Sequence, residues 1–376
     1  MRHDIRTLCL LALTMAAGLS TASGGDDPRI KGRPLSRWLK QIQSRNRGLQ
    51  MRASRALREA KEEQIPKIIP RLLPLLGADR RNTRFPVAQV LGEYGPAAHV
   101  AVPHLLPMLE GTQHERNRAA AAEALGRILK DTDPSEEVEK VSQALVAVFG
   151  DKYEDVRREA AVAIGRIGPA AKPAVQPLQK LLGDREFAVR AAAAWACGRM
   201  REHAKVHIDK LIAMLHGERD IATTVVYAIG EIGPVHENVI PNVIDRLEKV
   251  FYARWGGFKV GPRSYCVGTI SEGTVEEYAR FCFDVLARFG DKSAAAVPLM
   301  ERVLSEGHWN RRGRMHRAIG AMKVLRAVGP KAKSAVPEIR QALKVERWDR
   351  RIPKEVVERF KKEAAGALEA ITGEKP

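Results

Sequence analysis

The chain has 376 residues, 45% hydrophobic but only 5% aromatic, with 63 Lys and Arg against 45 Asp and Glu for a net charge of +18. This composition excludes a disordered chain and a disulfide-dense miniature fold, and it calls for a core of Ala, Val, Ile and Leu. The length suits two ordinary domains or one elongated array of repeats.

The first residues, MRHDIRTLCLLALTMAAGLSTASGG, have the parts of an export signal. Arg2 and Arg6 give a basic start, residues 7–19 an apolar stretch, and Ser20-Thr21-Ala22 a small-residue cleavage site. The apolar stretch falls short of the roughly 20 residues that a spanning helix needs. Residues 1–23 are therefore expected to be removed as a signal peptide, with 24–34 as a linker. The mature protein is expected in the periplasm or outside the cell, and not as an integral membrane protein. Loss of Cys9 leaves Cys197, Cys266 and Cys282 with no CxxC spacing, so neither a zinc site nor a disulfide framework is implied. Two readings stay open for Cys282: pairing with Cys266, or a buried thiol like Cys197.

From there on the sequence repeats. VRREAAVAIGRIGPAAKPAVQPLQKLLGD (156–184) returns in weaker form as VLGEYGPAAHVAVPHLLPML (90–109), AIGEIGPVHENVIPNVIDRL (228–247) and VLRAVGPKAKSAVPEIRQAL (324–343). Anchoring each copy on the apolar residue before its first Gly, or its equivalent, gives Leu57, Leu91, Leu125, Ile164, Cys197, Ile229, Leu286, Leu325 and Leu368. A period in the thirties, with one long step between Ile229 and Leu286, is the mark of stacked helix pairs. Four places before the anchor stands Ala53, Ala121, Ala160, Ala193, Ala321 or Ala364, with Val87, Val225 and Cys282 in the other units. Such a small residue lets a neighbouring helix come close.

Eleven, fourteen and eighteen places after the anchor come apolar residues such as Val175, Leu178 and Leu182, on one face of a second helix. In the first unit Leu72 stands one place late and Leu75 holds the last position. Only the Leu125 unit breaks step, where DTDPSEE (131–137) lengthens the turn. Gly95-Pro96, Gly168-Pro169, Gly233-Pro234 and Gly329-Pro330 stop the first helices, and Pro103, Pro241, Pro298 and Pro337 fall in the first turn of the second. Asp151 with Glu154 suits a capping box at the head of the 156–168 helix. No run of alternating strands is present, so the fold is expected to be all-α.

The pattern VRREAAVAIGRIG (156–168), AVQPLQKLLGD (174–184) and AVRAAAAWACGRM (188–200) resembles HEAT repeats, specifically the bacterial HEAT-like repeats also found in phycobilin lyases. KGRPLSRWLKQI (31–42) is similar to the lead-in of some exported HEAT proteins. The resemblance covers 35–372 and implies a right-handed α-solenoid of about nine HEAT-like helix pairs, an armadillo-like α-α superhelix. Its concave surface is expected to be lined by the second helix of each pair. The motif is mute about function, because scaffolds, transport receptors and a few enzymes share it.

Function is sought where the repeat is broken. The long step holds an insertion, 251–274, in which Phe251, Tyr252, Trp255, Phe258 and Tyr265 interleave with Arg254, Lys259 and Arg263. Aromatics beside basic residues suit ligand contact, and the alternative is a loop that buries its own rings. Trp255, Phe258, Tyr265, Arg254, Lys259 and Arg263 are the candidate partner-binding residues. Basic excess gathers at the two ends, with 16 Lys and Arg against 4 Asp and Glu in 28–84, 19 against 10 in 301–376, and 26 against 28 in 85–300. Arg311, Arg312, Arg314 and Arg317 are the candidate polyanion-binding residues. HEAT-like DNA glycosylases bind DNA through basic surfaces, which keeps nucleic acid as a rival partner.

His114-Glu115 and His236-Glu237 invite comparison with deoxyhypusine hydroxylase, a HEAT-like di-iron enzyme whose ligands are repeated His-Glu dipeptides. Here the two pairs occupy different repeat positions and would not converge on iron. His203 and His207 are four apart with no third ligand, and are expected to be solvated. No nucleotide-binding glycine motif, nucleophile elbow or HExxH occurs. The expected protein is a non-catalytic binding scaffold without a cofactor. A protein is the first partner, an acidic polymer or anionic surface the second, and nucleic acid the third. A cofactor-handling enzyme of the bilin-lyase or di-iron type is the alternative.

Overall fold

The structure is a computed structural model that describes residues 27–77, 81–217, 221–252, 275–305, 315–345, 348, 350 and 352–374. Its first pair is α1 (Leu35–Ile42) with α2 (Arg47–Arg58), followed by α3 (Ile65–Leu76) with α4 (Arg81–Glu93) and α5 (Val102–Leu105) with α6 (Glu115–Ile128). Then come α7 (Glu136–Ala147) with α8 (Glu154–Ile167), α9 (Leu178–Leu181) with α10 (Phe187–Met200), and α11 (Ile208–Gly217) with α12 (Ala222–Ile232). The last three pairs are α13 (Val239–Tyr252) with α14 (Val275–Arg288), α15 (Val297–Ser305) with α16 (Met315–Val328), and α17 (Val336–Leu343) with α18 (Lys354–Thr372). The chain is an all-α solenoid. The 31–42 lead-in thus contains a full partner helix, and the complete pairs are one helix out of phase with units that begin at VRREAA.

Ahead of α1, the segment expected to be a linker folds into a small antiparallel hairpin of β1 (Arg29–Ile30) and β2 (Arg33–Pro34). Lys31 and Gly32 both take positive φ, 48° and 75°, as a two-residue hairpin turn requires. Ile30 is buried, and its carbonyl accepts a 2.9 Å hydrogen bond from the Trp38 indole N–H, which pins the hairpin to α1.

The register puts the anchors in the core. Eight of them have no exposed surface, and Leu368 is 7% exposed. The small residues four places earlier are all fully buried. The one-place slip in α3 carries through, so that Leu72 and Leu76 are buried and Leu75 is half-buried. Proline shapes the odd-numbered helices. Pro107 ends α5 in a 3₁₀ turn, and Pro173 and Pro177 confine α9 to a single turn. At the Gly-Pro corners Gly95, Gly168, Gly233 and Gly329 all take positive φ. Cys197 and Cys282 are free, fully buried thiols, and burial pushes both up to about 12. Cys266 lies outside the described residues.

The even-numbered helices pack on one another through bare backbone. One residue after the anchor, Gly92, Gly126, Gly165 and Gly198 face the residue just before the next anchor. A Cβ on Gly126 would lie 2.4 Å from the Ala163 Cα, one on Gly92 2.9 Å from the Ala124 Cα, and one on Gly198 2.9 Å from the Ala228 Cα. The odd-numbered helices have Val, Ile, Leu and Met at their contacts and stand further apart. A curved stack keeps its closer-spaced row inside, so the even-numbered helices line the concave side. This reverses the expectation that the other row, that of Val175 and Leu178, would line it.

Candidate functional site

The inner face is built from two rows of side chains. Two places before the anchors stand Arg55, Gln89, Glu123, Val162, Trp195, Tyr227, Asp284 and Lys323; two places after stand Glu59, Glu93, Arg127, Arg166, Arg199, Glu231 and Arg288. Most charges in the second row pair across or along helices. Arg127 meets Glu93 on α4 and Glu123 on its own helix, Arg199 meets Asp131, and Arg288 meets Glu231 at 2.5 Å. Arg166, between two other arginines, is the exception. Its Nη1 is buried without a hydrogen-bond partner, and burial together with the charge of Arg127 holds its pKa below the usual arginine value. Beside it the Trp195 ring crosses Gly165, and the Tyr227 ring crosses Gly198. Both side chains are held by the close backbone approach that these glycines allow.

A cleft lies near each end of this face, in matching register. The N-terminal cleft, about 400 Å³, runs between α2, α4 and the start of α6, and is lined by Met51, Ser54, Arg55, Phe85, Gln89 and Arg116 among others. The C-terminal cleft, about 150 Å³, runs between α14, α16 and α18, and is lined by Arg280, Phe283, Asp284, Ile319, Lys323 and Arg359 among others. Position for position, Met51 answers to Arg280, Ser54 to Phe283, Phe85 to Ile319, Gln89 to Lys323 and Arg116 to Arg359. The charges differ. Lys323 is neutralised by Asp284 at 3.1 Å, whereas Arg45, Arg47, Arg55, Arg58 and Arg116 surround the N-terminal cleft, and no carboxylate among the described residues lines it.

An Arg–Asp ladder fixes the helices that carry this face. Arg118 grips Asp151 with two bonds of 2.7 and 2.9 Å, and Arg157 grips Asp184 with two of 2.7 and 2.8 Å. Each arginine also donates to a carbonyl in the loop before its own helix: Arg118 to Gln113, Arg157 to Asp151 and Arg190 to Asp184. Arg84 makes the first rung with the Gln113 side chain. Burial alone would raise the Asp151 and Asp184 carboxyls. The arginine hydrogen bonds, backbone N–H donors and nearby guanidinium charges outweigh it, and both end below the ordinary carboxylate value. Asp151 is therefore a rung and not part of a capping box; α8 begins after Tyr153 with no side-chain cap. The spacing Asp151-x5-Arg157, repeated as Asp184-x5-Arg190, is the signal that the reading of the sequence passed over.

Of the residues singled out from the sequence, Trp255, Phe258, Tyr265, Arg254, Lys259 and Arg263 lie outside the described residues, as do Arg311, Arg312 and Arg314. Arg317 is described, and its guanidinium stacks 4.5 Å from the Phe251 ring centroid, which joins α16 to the end of α13. His114 caps α6, its Nδ1 accepting from the Arg116 N–H, and the His236 Nδ1 accepts from the Asn238 N–H. His203 is exposed in a 3₁₀ turn, as expected. His207 is not solvated: it is 2% exposed, donating from Nε2 to the Val175 carbonyl with Nδ1 against Gln179, and so ties two successive turns together. Among the described residues no three His, Cys, Asp or Glu side chains group as a metal site. No helix among them is long and apolar enough to cross a membrane.

Comparison with known proteins agrees with this architecture. A family model described as HEAT repeats matches residues 35–126 and 142–230. No curated protein sequence matches the chain. Among solved structures, an engineered protein from a structural-genomics consortium is similar over 90% of this chain and 88% of its own, at 21% identity and a TM-score of 0.54. Kap121p bound to Ste12p is similar over 90% of this chain at 16% identity and a TM-score of 0.65, and Kap121p bound to the extreme C-terminus of the phosphatase Cdc14p over 97% at 14% identity and 0.62. The chain spans 39% and 45% of the length of those two Kap121p chains. At such identities the likeness is one of fold. With its period, its corners and its glycine seam, this all-α solenoid carries HEAT repeats over residues 35–126 and 142–230.

Proposed function

We propose that the protein is a non-catalytic scaffold that holds a protein partner on the inner face of its even-numbered helices. The observation that carries this reading is the pair of register-matched clefts at the two ends of that face, with Trp195 and Tyr227 between them. A rigid row of helices that offers side-chain pockets at both ends suits an extended segment of another chain. Kap121p, of similar fold, is seen bound to Ste12p and to the end of Cdc14p; partner capture by this chain is the corresponding proposal. The N-terminal stretch read as an export signal supports an encounter outside the cytoplasm, and the 251–274 insertion is a further candidate contact. Photo-crosslinkers at Gln89, Tyr227 and Lys323 on the inner face, against Lys140 and Lys180 on the outer helices, test the reading. A protein partner is expected to crosslink to the first set alone. Crosslinking confined to the outer set, or equal on both, overturns it.

A further inference from the structure

We infer that the N-terminal cleft docks an acidic peptide segment of the partner that carries one bulky apolar side chain. This rests on the inner face being a protein-binding surface, and it adds where the partner engages and what chemistry it brings.

The cleft's positive charge is not cancelled from within. Glu59, next to Arg58, is taken by Lys31, and Glu115 does not line the cleft. A guanidinium presents two parallel N–H donors, the geometry of a carboxylate. The floor is apolar. Phe85 and Pro86 form it on α4, and Met51 stands over it from α2 with 59% of its surface exposed. A thioether side chain of that kind adapts to the shape it meets. Between the charges and the floor lies Ser54, only 3% exposed, whose hydroxyl has no hydrogen-bond partner. A buried hydroxyl left unpaired is costly, and a ligand carbonyl or carboxylate that accepts from it removes that cost. The cleft's volume, about 400 Å³, holds one or two side chains.

A uniform polyanion fits less well. It gains nothing from Met51, Phe85 and Pro86. As it runs along the face it next enters a region with no basic excess, 26 Lys and Arg against 28 Asp and Glu over 85–300. A peptide can place its acids at the cleft and other side chains beyond it. The C-terminal cleft lacks the free charge, because Asp284 occupies Lys323.

Fluorescence anisotropy of the full chain with the labelled peptide EDDLFEDDE tests the assignment. Saturable binding is expected. It should weaken roughly tenfold or more in Arg55→Gln with Arg58→Gln, as loss of two charge-assisted contacts implies. Met51→Asp should weaken it as well. These side chains are exposed, and unchanged circular dichroism verifies that the variants fold. Lys140→Gln on the outer helix α7 should leave binding intact, and the peptide EDDGSEDDE, without the apolar pair, should bind markedly more weakly. If EDDGSEDDE and heparin bind as well as EDDLFEDDE, the site is a polyanion patch and the inference fails. It fails too if no peptide binds; crosslinking at Gln89, Tyr227 and Lys323 would then show whether the scaffold reading survives without it.

Discussion

In α4, α6, α8, α10 and α12 the residue after the anchor is glycine; in α2 it is Arg58, in α14 Ala287 and in α16 Arg326. At Gly92, Gly126, Gly165 and Gly198 the next helix comes to backbone contact, at Gly230 the Val285 side chain closes in, and the face is covered by side chains such as Trp195 and Tyr227. Where Arg58 replaces it the N-terminal cleft lies, and where Ala287 and Arg326 replace it the C-terminal cleft lies. One position thus distinguishes the closed stretch of the face from its two clefts. Regularity makes the middle rigid, and loss of regularity makes room at the ends.

The largest expected effect comes from breaking the frame. Gly126→Val puts atoms into the Ala163 backbone, and the contact can be relieved only by separating α6 from α8. Overpacking of this kind costs about 3 kcal/mol or more, readable as a lower urea midpoint. Gly111→Ala, where an added Cβ meets nothing within 4 Å, should stay within about 0.5 kcal/mol of the parent. Equal effects would refute the seam. Next is the ladder. Arg157→Ala leaves Asp184 buried without its two hydrogen bonds, with an expected loss of about 3 kcal/mol. A loss below about 0.5 kcal/mol, the range of ordinary surface changes, would reduce the rung to decoration.

The ladder also predicts a pH dependence. The folded-state values of Asp151 and Asp184 lie below their ordinary value of 3.8, so each carboxylate stabilises the fold fully above that value. The contribution is lost as the pH falls through the lower, folded-state value. The urea midpoint should drop below about pH 4, and in Asp184→Asn this part of the drop should be smaller. An undiminished acid loss in that variant would assign it to other carboxylates.

The even-helix core was legible from the sequence, because Ala160, Ile164 and their counterparts recur at fixed offsets and burial follows period. The Gly-Pro corners were legible for the same reason. The seam was half visible: Gly126 and Gly165 recur, but their partners Ala163 and Ala196 lie in the next unit, and only packing joins them. Which row is concave depends on spacing between helices, a quantity no single repeat contains. The ladder was written as Asp-x5-Arg, but Asp151 also satisfies a local capping rule, and the local reading prevailed. The 29–34 hairpin has strands of two residues each, too short to show alternation. The N-terminal cleft depends on an absence, glycine replaced by Arg58, which stands out only once the seam is known.

The smallest effect concerns a corner where the frame departs from its own rule. Five corners use glycine with φ between 53° and 96°, but at the end of α10 the same turn is made by Arg201, with φ 54° and ψ −133°. Its counterpart Gly168 has φ 75° and ψ −141°, a region that residues with a Cβ avoid. The strain at such a position is about 1 kcal/mol or somewhat more. Arg201→Gly removes it, and the greater freedom of glycine in the unfolded chain offsets part of the gain. A net stabilisation of about 0.5–1 kcal/mol is expected, seen as a higher urea midpoint. Arg201→Ala, which keeps the Cβ and removes only the guanidinium, should give no such gain. If alanine stabilises as much as glycine, the corner is relieved by loss of charge and not of backbone strain. Arg201 would then be an electrostatic departure, unlike Arg58, whose departure from glycine is steric.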